Sequence, residues 1–254
     1  MSTRAIVPVK LSLTEGDFYT LWAPKWRQHG SEWQAFLGDD EAVLAFNSPA
    51  ELLCFVESGT KHDLLDHPHW DQFAGRDADR VTPAERDEYD LIGMPEALAG
   101  RPSHQNVSTV ARNLEMASAL ADVAGAEHTT IFFASHSILR NVSRGADHYS
   151  GEQGMSEWSG VGHVIAGNWK KVIEDLDEHV RVVSSDDFDA AKVSDAKERI
   201  SSAAAASAAA AKEAEEKRKA AAEAADPYDN SPWAAAGIDP IKITAQSKSV
   251  YTLR

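Results

Sequence analysis

Pro8-Val9-Lys10-Leu11-Ser12, followed after a short polar break by Phe18-Tyr19-Thr20-Leu21, returns without a gap as Pro240-Ile241-Lys242-Ile243-Thr244 and Val250-Tyr251-Thr252-Leu253. Five of the fourteen aligned positions are identical. The substitutions keep class and strand parity: Val9 and Leu11, like Ile241 and Ile243, share one face of an extended strand. Lys10 and Ser12, like Lys242 and Thr244, share the other. A repeat of this kind sets the architecture before any local reading does. It predicts a hairpin at each end, the second expected to open a further module, because Arg254 follows the match by one residue.

Working outward, 254 residues allow one or two domains. A formal charge of −15 argues against direct nucleic-acid or anionic-membrane binding, both of which need an excess of Lys and Arg. The single cysteine, Cys54, excludes an intramolecular disulfide and lies in the apolar run Leu52-Leu53-Cys54-Phe55-Val56, where it reads as a small buried hydrophobe. No window approaches the apolar length of a membrane span, and the N-terminus lacks the apolar region of a signal peptide. A cytoplasmic protein is expected.

Along the chain, Ile6–Leu13 and Phe18–Trp22 read as a hairpin, with further strands at Glu32–Leu37 and Ala42–Phe46. Ser48-Pro49-Ala50-Glu51 is a helix start: a capping serine, proline at the first helical position and glutamate three residues after the cap. Thr82-Pro83-Ala84-Glu85 repeats that pattern, and Pro95 is expected to interrupt the segment that follows. Val107, Val110, Leu114, Ala117 and Ala121 define one amphipathic helix. Trp158, Val161, Ile165, Trp169, Val172, Leu176 and Val180 define another, despite Gly160, Gly162 and Gly167, each weakening a helix by about 1 kcal/mol against alanine. Thr129–Phe133 reads as a short β-like run before a helix from Ser135 to Arg144. From about residue 188 to 226 Ala, Lys, Glu and Ser dominate. That run reads as an exposed helical spacer of roughly 55–60 Å, without the apolar seam of a coiled coil.

The expected fold is therefore α+β. Residues 1–75 form a small antiparallel β-rich module, 76–184 a mainly helical region and 185–227 the Ala-rich helix. Residues 228–254 supply a linker and a hairpin repeating the first.

Three stretches carry candidate chemistry. His62, Asp66 and His69 could ligate a metal, His62 and Asp66 being one helical turn apart, but Pro68 breaks the helix before the third ligand. The plainer reading is a short amphipathic helix with Leu64 and Leu65 inward and the histidines at its wet edge. Ser135-His136 lacks the glycines of a nucleophile turn, and Ser135 reads as a helix cap. Gly160-Val161-Gly162-His163 fits neither glycine-rich phosphate fingerprint and reads as helix. Between residues 22 and 33 lie three of the seven tryptophans, Trp22, Trp26 and Trp33, beside Lys25 and Arg27. Exposed, these rings would anchor a protein partner or stack on bases; buried, they would cap the sheet. Trp26 is the ring expected to reach solvent.

Leu21-Trp22-Ala23-Pro24-Lys25-Trp26-Arg27, Arg144-Gly145-Ala146-Asp147-His148-Tyr149-Ser150-Gly151 and Asp239-Pro240-Ile241-Lys242-Ile243 with Val250-Tyr251-Thr252-Leu253 together resemble an actinobacterial family sometimes labelled "primosomal protein". Longer members of that family continue past the equivalent of Arg254, and no catalytic motif carries over. The resemblance implies a replication-restart role exercised through protein contacts. The leading expectation is a non-catalytic interaction or scaffold protein with repeated β modules, no cofactor, a protein partner, no membrane association and self-association through the C-terminal hairpin. The alternatives are a metal-dependent or hydrolytic enzyme at His62–His69 or Ser135–His136, and a replication-associated factor.

Overall fold

Odd positions of the first stretch carry its apolar residues, and pairing gives them a common face. In the computed structural model, which describes residues 5–28, 30–39, 41–224, 241–245 and 248–252, they form β1 (Val7–Leu13). β1 pairs antiparallel with β2 (Gly16–Gln28), Leu11 opposite Phe18 and Val7 opposite Trp22. Gly16 closes the turn at φ 140°, where a side chain would be strained. β2 pairs antiparallel with β3 (Ser31–Phe36).

Both faces of this sheet are covered. Val7, Val9, Leu11, Leu13 and Phe18 pack towards the helical layer, while Leu21 and Ala23 pack with Leu52 and Leu53 on the other side. Two short parallel pairings complete the layer. β4 (Val43–Ala45) joins β6 (Val180–Val182), and β5 (Glu88–Asp90) joins β1, giving the order β3-β2-β1-β5. Strands from residues 76–184 thus pair with strands from residues 1–75, and the two ranges share a core.

The helix α1 (Pro49–Glu57) starts where its capping residues place it: Ser48 Oγ accepts from the Glu51 N–H at 3.3 Å. The Glu51 carboxylate accepts from the Asn47 N–H at 3.0 Å and from Ser185 Oγ at 2.9 Å, so the cap also ties down a distant loop. A short α2 (Trp70–Ala74) follows a 3-10 turn over Asp63–Asp66. Pro95 does not interrupt a helix; it sits in the first turn of α3 (Met94–Ala99), where its missing N–H is not needed. Thr82-Pro83-Ala84-Glu85 opens only a 3-10 turn, because the next residues leave as β5, held by a Lys10–Glu88 ion pair of 2.6 Å.

The two periodic stretches become α4 (His104–Ala124) and α6 (Gly151–His179), with every apolar position named for the first and all but Val180 for the second buried. Trp158 Nε1 donates to Gly100 O at 2.9 Å and Trp169 Nε1 to Leu91 O at 2.7 Å, pinning the α3 segment on α6. The β-like run at Thr129–Phe133 is helix instead, within α5 (Glu127–Ser135). Its first turn is capped from α6: the Thr129 N–H and Oγ1 donate to Asp175 Oδ2 at 2.8 and 2.7 Å. Ser135 accordingly ends a helix rather than starting one, and Ser137–Arg144 is a 3-10 run.

Gly154 lets α6 begin against the preceding turn, since a Cβ there would lie 2.4 Å from the Tyr149 carbonyl carbon. Gly154→Ala is expected to destabilise the chain by about 1–3 kcal/mol through overpacking. Gly162→Ala, where nothing lies within 4 Å, should instead stabilise it by about 1 kcal/mol. Urea midpoints of the two variants check the contrast.

The long helix α7 (Ala190–Ala224) is not spacer from its start. Val193, Ala196, Ile200 and Ala203 pack on the α1 side of the core, and Arg199 grips Glu57 through two hydrogen bonds of 2.8 Å. The described residues up to Ala203 form one compact unit and those from Ala204 a second. In the second, Ala204–Ala220 is exposed and carries Glu213–Lys217 and Glu215–Lys219 pairs one turn apart. β7 (Ile241–Ala245) and β8 (Lys248–Thr252) pair antiparallel. The linker part of the expected range 228–254, up to residue 240, lies outside the described residues.

Candidate interaction groove

Pro24 cannot donate to a strand ladder, and in β2 it marks a bulge. The pairing with β3 runs Trp22 to Phe36 and Ala23 to Ala35, then resumes at Trp26 to Trp33, so Pro24 and Lys25 together oppose one residue. One extra residue reverses the side-chain parity of everything beyond it. Trp22 therefore faces the helical layer, its ring stacked 6.0 Å from Phe36, whereas Trp26 joins Leu21 and Ala23 on the opposite face.

There Trp26 meets the 3-10 turn after α1. Its ring lies 4.5 Å from that of His67 in a T-shaped contact, above the fully buried Leu64. Gly38 O accepts from the Asp63 N–H at 3.0 Å and holds the turn beside β3. Trp33, directly across from Trp26, is 54% exposed. These residues, with Ala35, Asp63 and Asp66, line a groove of about 480 Å³ along the strand that ends the sheet.

His67 is 5% exposed. Its Nδ1 accepts from the His69 N–H at 3.1 Å, which places the proton of the neutral ring on Nε2. That Nε2 is buried without a partner. His62, packed 4.4 Å from Trp70, is also buried, with Nδ1 unpartnered. Burial holds both imidazoles below the ordinary histidine value, and the neighbouring His69 adds to the effect at His67.

The sign of the resulting pH dependence follows from the unfolded chain taking up these protons first. Stability is expected to be level above about pH 7 and to fall as pH drops through about 6.5, the unfolded value, towards the depressed folded values. A lower urea midpoint at pH 5.5 than at 7.5, and a smaller difference in His62→Phe, would bear this out.

The predicted site residues divide between the two faces. Trp26 and Trp33 come together in the groove, and Trp33 rather than Trp26 is the exposed ring, because the bulge turns Trp26 onto His67. Trp22 belongs to the helical face. Arg27 pairs in register with Glu32, adjacent in sequence to Trp26 and Trp33 and so on the reverse face, and Lys25 reaches Glu32 at 4.0 Å. Of the metal candidates, His62 is buried, Asp66 lies at the groove and His69 is exposed ahead of α2. Among the described residues no group of three His, Cys, Asp or Glu side chains is placed to hold a metal ion. Leu65 points outward, because the turn is 3-10 rather than a full helix. His136 Nδ1 contacts Phe132 O at 2.8 Å, an arrangement within its own helix. The sequence reading missed His67 as a groove residue; Pro24 inside a strand was the available signal.

Among the described residues no helix is long and apolar enough to cross a membrane. A sequence family described as the SatS C-terminal domain matches residues 6–177. A crystal structure of a SatS C-terminal domain in complex with bromine is similar at 16% identity and a TM-score of 0.48, covering 70% of this chain and 94% of that one. No curated protein matches.

Proposed function

Matched over residues 6–177, the chain belongs to the SatS C-terminal domain family, and from there we propose that it is a cytoplasmic, non-catalytic protein-interaction protein with β modules repeated around a helical spacer. The observation that carries the interaction reading is Trp33, held more than half exposed on the end strand beside a formed groove. Large aromatic rings in such positions are common anchors in protein interfaces.

The repeat is supported by register. Val9 pairs with Thr20, Lys10 with Tyr19 and Leu11 with Phe18; Ile241 pairs with Thr252, Lys242 with Tyr251 and Ile243 with Val250. Each of these described positions in the second hairpin thus meets the aligned partner of the first.

A photo-crosslinking residue at position 33 of the full chain, in its native cells, is expected to trap a small set of discrete protein adducts. The same residue at the exposed position 216 on α7 should not trap them. Equal labelling from both positions, or no adduct from either, would overturn the interaction reading. For the repeat, nuclear Overhauser contacts between Ile241 and Thr252 and between Ile243 and Val250 are expected, and their absence would remove it.

A further inference from the structure

We infer that the groove between β3 and the Asp63–His67 turn receives a basic side chain, arginine or lysine, from an extended segment of a protein partner. The inference rests on the interaction reading above and names the chemistry of the occupant.

Four features lead to it. The bulge separates charge from aromatic surface: Trp26 and Trp33 line the groove, while Arg27 and Glu32 fall on the reverse face and Lys25 reaches Glu32. Among the described residues the formally charged side chains lining the groove are Asp63 and Asp66, both exposed. The exposed Trp33 indole near the exposed Asp66 carboxylate offers a cation aromatic surface and counter-charge, and it offers an anion neither. The aliphatic stem of an arginine or lysine can lie along the rings while its head reaches the carboxylates.

The third feature is His67. Its tautomer is fixed, its Nε2–H donor lies buried in the groove wall, and among the described residues no acceptor meets it. Such an unpaired donor is costly, so a small shift of the turn that admitted a carbonyl oxygen of a bound backbone would be repaid by the missing hydrogen bond. The fourth is position. β3 has β2 on one side and ends the sheet on the other, so a segment in the groove runs beside a strand edge that can take main-chain hydrogen bonds. A volume of about 480 Å³ suits one long side chain and the backbone that carries it.

The test uses the full chain and a blocked five-residue peptide, Thr-Val-Arg-Val-Thr, with lysine, glutamine or glutamate in the central place, followed by isothermal calorimetry at low and high salt. The arginine and lysine peptides are expected to bind saturably. The glutamine peptide should bind about tenfold more weakly and the glutamate peptide not at all, with affinity for the basic peptides falling as salt rises. Trp33→Ala, at an exposed ring, should weaken the arginine peptide about tenfold, and Asp66→Asn about threefold, with circular dichroism unchanged.

No saturable binding of the arginine peptide at millimolar concentration overturns the inference. So does equal binding of the arginine and glutamine peptides, which would make the groove an apolar site without charge selectivity. Either result can occur while crosslinks from position 33 persist, and then the interaction reading stands without this one. Loss of those crosslinks while the peptides still bind would sink the broader reading alone.

Discussion

Glu57→Ala is expected to lower the stability of the folded chain by about 3 kcal/mol, because it leaves the Arg80 guanidinium buried without a counter-charge. Arg80 has a side-chain exposure of 4% and donates from Nη2 to Glu57 Oε1 at 3.0 Å. Its Nη1 reaches the carbonyls of Arg76 and Asp77, and its Nε is already unpaired. The same carboxylate accepts two hydrogen bonds of 2.8 Å from Arg199 on α7. Arg199 is 45% exposed, so Arg199→Ala should remove only about 0.5–1 kcal/mol. A double-mutant cycle on the three residues, read by urea unfolding, separates the buried ion from the exposed one; equal effects of the two single variants would contradict this account.

Acid offers a second view of that carboxylate. The Arg199 hydrogen bonds, and then the one from Arg80, hold the Glu57 carboxyl below the usual value. Its contribution is therefore present above the unfolded value of about 4.3 and is lost as pH falls through the lower folded value. This window opens at a lower pH than that of His62 and His67, so Glu57→Ala should flatten the stability profile only below about pH 4.3, which urea midpoints between about pH 7.5 and 3 would show.

Trp169→Ala is expected to remove about 3–5 kcal/mol, the range for deleting a buried aromatic ring. Trp169 is 3% exposed, lies 6.2 Å from Phe132 across the α5–α6 contact and donates to Leu91 O. The deletion would empty the helical layer and strip a carbonyl of its donor at once. Trp169→Phe keeps most of the ring and should lose about 1–2 kcal/mol, the difference between the variants reporting the packing. Calorimetric unfolding measures both.

How much of this was legible in the sequence depended on whether the cause was local. α4 and α6 were readable because their apolar residues recur at steps of three and four over about four turns or more. α1 was readable because Ser48, Pro49 and Glu51 act within one turn of each other. α5 was not: Ile131-Phe132-Phe133 favours a strand, and the bonds that hold the turn before it come from Asp175, far along the chain. β5 and β6 are three residues each and exist as strands only through β1 and β4. The first turns of α7 looked like spacer because alanine reads alike on a core and in water; Glu57 and the α1 layer decide which it is.

Within the groove, Trp26 and Trp33 were visible as residues, but their separation from Lys25 and Arg27 depends on counting pairs across two strands.

The extra residue at Pro24 and Lys25 gives β2 two phases joined by a one-position slip. Excising Pro24 would remove the surplus residue and set Lys25 opposite Gln34, with Trp26 still opposite Trp33 and the groove in place. Flattening the bulge with both residues kept would instead set Lys25 opposite Trp33 and turn Trp26 towards the helical layer. The position thus works as a reading frame for the sheet: the slip it absorbs keeps the aromatic face in phase across two strands of unequal count.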